Sequence, residues 1–151
     1  METQSYKIPA FKIQLVKEGE MEPLGFSGPE DVVKFAQAYA MSDREVFVSF
    51  HLDSKNRVVG QEIVSLGTLN QSMVHVRELY KSAILANSAA IILCHNHPSG
   101  NVDPSIDDDR LTLKMSEAGK LLGIPVIDHL IVGPRESYFS YQEKKPELLG
   151  K

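Results

Sequence analysis

A single α/β domain, built on a mixed central β-sheet flanked by α-helices, is what this sequence predicts, on three observations. Candidate strands and helices alternate along the chain, the pattern of a sheet with helices packed against it. Ala89-Ala90-Ile91-Ile92-Leu93-Cys94 is an unbroken apolar run of strand length, which reads as a strand buried on both faces. The length of 151 residues suits one domain that buries about two-thirds of its unfolded surface. At 42% apolar and 24% charged residues, the composition is that of an ordinary globular chain.

The elements follow in order. Ile8, Phe11, Ile13 and Leu15 alternate loosely with polar residues and predict a strand over residues 6–17. Ser27-Gly28-Pro29-Glu30-Asp31 is a helix start, with proline at the first helical position and acids in the first turn. That helix is expected to run to Met41. Residues 45–53 and 57–66, separated by Ser54-Lys55-Asn56, predict a hairpin. Its first strand puts Val46, Val48, Phe50 and Leu52 on one face and Glu45, Phe47, Ser49, His51 and Asp53 on the other. A helix over 75–86 carries the stripe Val76, Leu79, Tyr80, Ala83 and Ile84 and leads into a strand over 89–97. A long helix over 105–122 stops at Gly123, which suits the left-handed position after a helix end. Strands over 125–132 and 136–141 follow, and 144–151 reads as a frayed tail. The organisation expected is an N-terminal strand and lead-in (1–28), the domain proper (29–142) and a C-terminal tail (143–151).

Charge and cysteine content narrow the setting. The formal net charge is −4, and Lys114, Lys120 and Lys144-Lys145 read as solvated surface. Non-specific DNA binding needs several cations on one face, so charge does not support direct DNA contact. A single cysteine cannot pair within the chain, and the sequence opens on no signal peptide, so a reducing, cytoplasmic location is expected. No apolar run approaches the 18 or more residues that span a bilayer, and no membrane partner is expected.

The chemistry concentrates in His95-Asn96-His97-Pro98-Ser99-Gly100, followed by Ser105 and Asp108. Two imidazoles two residues apart leave a buried strand on the same side, since strand side chains alternate. Cys94 then points the opposite way and is a poor ligand. Pro98 to Asn101 supplies a turn, with Ser99 as a turn residue. Ser105 and Asp108 have the capping-box spacing, which puts Asp108 in the first turn of the next helix. Two ring nitrogens and one carboxylate fill three positions of a tetrahedral zinc site and leave the fourth for water, the ligand count of a catalytic zinc. Asp107 and Asp109 turn about 100° to either side of Asp108 on the helix and are expected in solvent. Calcium and magnesium prefer all-oxygen shells, so two imidazoles argue against them.

His95-x-His97-Pro98, with Asp108 after ten intervening residues and Ser105 three before it, resembles the JAMM (JAB/MPN-type) metalloprotease motif. The flanking text is similar to the RadC branch: Gly67-Thr68-Leu69-Asn70, Val74-His75-Val76-Arg77-Glu78, Leu122-Gly123-Ile124 and Asp128-His129-Leu130-Ile131-Val132-Gly133. Longer RadC proteins carry a helix-hairpin-helix segment ahead of this domain, and the residues here before position 30 do not read as one. The resemblance implies a JAMM/MPN-like fold with deaminase-like layering. It implies His95, His97 and Asp108 as zinc ligands, Glu45 as general base and Ser105 as an oxyanion donor. Glu62, which also begins a candidate strand, is the alternative base. His75 is a candidate for supporting a ligand or touching substrate. Asp128 beside His129 is a candidate for orienting a ligand imidazole. His51 has no assigned duty.

The function expected is zinc-dependent hydrolysis of an amide or isopeptide bond in a peptide or protein, connected through the RadC resemblance with DNA repair. The alternative is a non-catalytic DNA-maintenance accessory that binds DNA or a repair partner. Deamination fits poorly, because zinc deaminases take a cysteine-rich ligand set.

Overall fold

The computed structural model describes residues 7–20, 24–67 and 74–151. Thr68, Leu69 and Asn70 of the RadC-like stretch lie outside the described residues, as does Tyr6 at the start of the first expected strand. The elements are β1 (Leu24–Gly25), α1 (Pro29–Phe35), α2 (Gln37–Ala40), β2 (Val46–Leu52), β3 (Arg57–Leu66), α3 (Val76–Leu85), β4 (Ala90–Asn96), α4 (Ile106–Leu122), β5 (Val126–Val132), β6 (Tyr138–Ser140) and α5 (Tyr141–Lys144). Six strands form one sheet in the order β1-β3-β2-β4-β5-β6. Among the described residues, only β4 and β5 run parallel. The other pairs are antiparallel. The sheet is therefore mixed and helix-flanked, as the sequence predicts.

Both faces of the sheet are covered, which is why β2 and β4 are buried at every residue. On one face Val46, Val48, Phe50, Leu52, Ile92 and Cys94 pack with Val32, Val33 and Ala36 of the α1–α2 region. On the other, Phe47, Ile91, Leu93 and Ile131 pack against α3, α4 and α5. The strand alternation read from the sequence thus splits correctly between two cores, with Cys94 on the face away from the histidines. A parallel pair such as β4 and β5 needs a crossover, and α4 supplies it. That topology brings the carboxyl end of β4 to the first turn of α4.

Three expectations change. Residues 7–20 form no regular element, and Ile8 (92%) and Phe11 (85%) are almost fully exposed. Alternation alone does not make a strand where no neighbour pairs with its backbone groups. The helix expected from Pro29 to Met41 breaks at Ala36. The break lets the Gln37 amide donate to the Gly133 carbonyl at 3.3 Å and accept from the Glu136 N–H at 3.2 Å. The tail is not frayed: α5 and a 3₁₀ turn over Pro146–Leu149 close the chain against α4, with Leu149 buried. The apolar pair Leu148-Leu149 provides the reason, since burying one leucine contributes about 2 kcal/mol.

The α3–α4 packing turns on Gly119. A Cβ there would collide with the Tyr80 hydroxyl and sit 2.6 Å from the Ile124 carbonyl oxygen. The Tyr80 hydroxyl donates to the Met115 carbonyl at 2.9 Å, so it cannot step aside without breaking that bond. Gly119→Ala is expected to destabilise the protein by about 2 kcal/mol through overpacking. In a thermal melt this lowers Tm by about 4–8 °C for a domain of this size.

Candidate metal centre

His95 is the penultimate residue of β4, His97 follows immediately after the strand, and Asp108 is the third helical residue of α4. The helix start is as the sequence predicts. The Ser105 hydroxyl accepts from the Asp108 N–H at 3.0 Å, and the Asp108 carboxylate accepts from the Ser105 N–H at 2.9 Å. This reciprocal cap fixes the carboxylate rotamer. It also sets the anion on the positive end of the helix dipole.

Ligand-type atoms of the three residues converge. His95 Nε2 and His97 Nε2 are 3.2 Å apart, His97 Nε2 is 3.0 Å from Asp108 Oδ2, and His95 Nε2 is 3.2 Å from Asp108 Oδ1. Tetrahedral zinc ligands at about 2.0–2.1 Å from the ion lie about 3.3 Å from one another. The triangle is therefore close to the size a zinc ion needs. His95 is buried at 1% exposure, while His97 is half-buried and borders the cleft.

The tautomers follow from the surrounding hydrogen bonds. Thr112 Oγ1 donates its only proton to the Asp108 carbonyl at 2.7 Å, so it accepts from Nδ1–H of His129, also at 2.7 Å. His129 Nε2 is then an acceptor and takes the proton of His95 Nδ1 at 2.8 Å. The Nε2 of His95 is left with a bare lone pair. His97 reaches the same state by donating from Nδ1 to the Asn101 carbonyl at 2.8 Å. Two lone pairs and a carboxylate thus face one point with no proton between them, an arrangement that a cation relieves. Burial opposes ionisation of Asp108, but when either imidazole is protonated at Nε2 its hydrogen bond to the carboxylate outweighs burial and holds the carboxyl well below the usual range. The bond that a protonated His97 would donate to Asp108 raises His97, against the effect of its own burial, so the carboxylate favours a positive charge at this point. Burial keeps His129 well below the usual imidazole range, consistent with its neutral relay role.

The other expected residues divide. Glu45, just ahead of β2, lines an open cleft of about 770 Å³ together with His97, Ser99, Ser105 and Asp108. His75 occupies the position before α3, without a side-chain capping bond, and lines the same cleft. Glu62 does not line this cleft; it sits on β3 opposite Ser49. Asp107 is exposed, as expected, but Asp109 is half-buried, accepting from the Tyr141 hydroxyl at 2.8 Å and from Lys145 at 2.6 Å. The sequence periodicity misses this because α5 and the tail fold over α4. Asp128 does not orient a ligand. It bonds neither His95 nor His97 and accepts instead from Ser140 Oγ (2.6 Å), the His129 backbone N–H (2.7 Å) and Gln142 N–H (3.0 Å), while the register shift opposite Ile91 and Ile92 leaves the His129 ring to face His95. His51 is buried and bonded to Ser82 at 3.2 Å, and burial lowers it to about 4.

Two residues were missed by the sequence reading. Thr112 anchors the relay, and its only signal is its place one helical turn after Asp108. Asn96, between the histidines, points to the opposite side. Its Oδ1 accepts from Val46 N–H at 2.7 Å and its Nδ2 donates to the Arg44 carbonyl at 3.0 Å. It therefore pins the segment that carries Glu45 to the cleft. A buried strand amide has to find such partners, and that requirement was the available signal. His129→Phe, which keeps a ring but removes the acceptor for His95, is expected to weaken metal affinity about 10–100-fold. Competition against a calibrated chelator measures this.

Residues 26–146 match the RadC-like JAB domain family. The chain is 40% identical over 129 residues to a UPF0758 protein of Clostridium perfringens, covering 85% of this chain and 56% of the relative. It is 48% identical over 118 residues to a UPF0758 protein of Rubrobacter xylanophilus, covering 78% and 51%. It is 51% identical over 90 residues to a UPF0758 protein of Methanosarcina acetivorans, covering 60% and 39%. The chain spans about half the length of these relatives. Among the described residues, no helix is long and apolar enough to cross a membrane. With the family matched over most of its length and the His-His-Asp group in place, this chain belongs to the RadC-like JAB domain family.

Proposed function

We propose that the protein is a zinc-dependent hydrolase of amide or isopeptide bonds, of the JAMM type. The carrying observation is the convergence of His95 Nε2, His97 Nε2 and the Asp108 carboxylate at 3.0–3.2 Å, with both imidazole lone pairs turned inward. The domain and this group fit a metal-dependent hydrolase. The mixed nitrogen and oxygen set suits zinc rather than a hard cation. When bound, zinc supplies Lewis acidity and lowers the pKa of its water to about 7.

The chain's own groups supply the rest. Glu45, on the cleft wall, takes a proton from the attacking water and returns it to the leaving amine. Ser105 uses an oxygen lone pair for the cap, so its hydroxyl proton remains to donate to the oxyanion. Capping and oxyanion stabilisation therefore do not compete for the same part of the group. A role in DNA repair rests on the RadC resemblance.

Mass-spectrometric profiling of a proteome-derived peptide library tests this reading. New termini are expected with zinc-loaded protein and not with chelator-stripped protein. Identical profiles from the two preparations would remove the hydrolase reading and favour the non-catalytic accessory.

A further inference from the structure

The sequence shows no run of cations, yet folding collects several. The outer surfaces of α3 and α4 enclose a groove of about 670 Å³ whose apolar floor includes Val76, Tyr80, Ile84 and Leu122. Its charged lining is Arg77, Lys81 and Lys114, and among the described residues no acid lines it. In a chain of net charge −4, such a one-signed groove is a local reversal. Glu78 pairs with Lys81 at 3.0 Å and approaches Arg77 at 4.0 Å. Ile84 and Leu122 are 50% and 44% exposed. The groove opens directly off the metal cleft, because His75 and Lys114 line both.

We infer that this groove receives an acidic, leucine-like segment of a polypeptide substrate, whose susceptible bond lies in the adjoining cleft. An apolar side chain rests on Ile84 and Leu122, and carboxylates face Arg77, Lys81 and Lys114. The inference rests on the hydrolase reading, since a groove leading into a reaction cleft selects what enters it. The apolar floor distinguishes the occupant from a nucleic-acid backbone: phosphates need cations and gain nothing from exposed aliphatic groups. The cations act mainly on encounter and orientation, and the buried anchor carries affinity.

Fluorescence anisotropy tests this on the full chain carrying Glu45→Gln, zinc-loaded and again in EDTA. The probes are a dye-labelled decapeptide of Asp, Glu and Leu, its Lys, Arg and Leu counterpart, and a labelled single-stranded DNA. The acidic peptide is expected to bind in preference to the other two. Its affinity is expected to fall at least tenfold in Arg77→Glu/Lys81→Glu and at least threefold in Ile84→Ser, with circular dichroism unchanged. Failure of the acidic peptide to bind, unchanged affinity after charge reversal, or tighter binding of DNA that ignores Ile84→Ser would overturn the inference. Binding that persists in EDTA separates the two readings: the groove then stands even where library profiling finds no hydrolysis.

Discussion

Glu45→Gln is expected to retain its metal and to lose turnover by about 10²–10⁴-fold, the usual contribution of a positioned general base. The substitution keeps the size and polarity of a side chain on the cleft wall but removes its ability to take a proton. Val46, the next residue, donates its N–H to Asn96, so the backbone at this position is held independently of the side chain. The measurement is cleavage of a peptide identified by library profiling, with zinc content determined on the same sample. Full metal with lost turnover supports the base assignment. Lost metal would make Glu45 a ligand, and unchanged turnover would remove it from the chemistry.

Asp108→Asn is expected to weaken metal binding by more than the roughly 10–100-fold that loss of an orienting partner costs. The fold should tolerate the change. An amide oxygen still accepts the Ser105 N–H that the carboxylate accepts at 2.9 Å, and the Ser105 hydroxyl still receives the residue-108 N–H. Stability of the metal-free protein should therefore change by less than about 1 kcal/mol. What is lost is the negative charge between two imidazole nitrogens at 3.0 and 3.2 Å. Chelator competition and thermal melts in EDTA measure the two effects separately. A variant that binds metal normally would exclude Asp108 as a ligand, and one that unfolds would show that the cap requires the carboxylate.

Local features were well marked in the sequence. The Ala90–Asn96 strand, the Ser105–Asp108 cap and the Gly123 stop each depend on residues a few positions apart. The same short range put His95, His97 and Asp108 within reach of one another. What was not legible depends on partners distant in the chain. The relay from Thr112 through His129 to His95 needs β5 beside β4 in one particular register, and the shift in that register leaves no clear sequence mark. Asp109 looked solvent-facing because its partners, Tyr141 and Lys145, come from the far end of the chain. The 7–20 segment shows the opposite failure, a strand-like pattern without a partner. The groove cations arrive from two helices and appear as a group only after folding.

The central claim concerns one ion held by two imidazoles and a carboxylate. Crystals of zinc-loaded protein, with diffraction recorded on both sides of the zinc absorption edge, test it most directly. The account predicts a single anomalous peak bounded by His95 Nε2, His97 Nε2 and the Asp108 carboxylate, with its fourth position open to the cleft that Glu45 lines. A peak elsewhere, no peak, or a fourth protein side chain closing the site would contradict it.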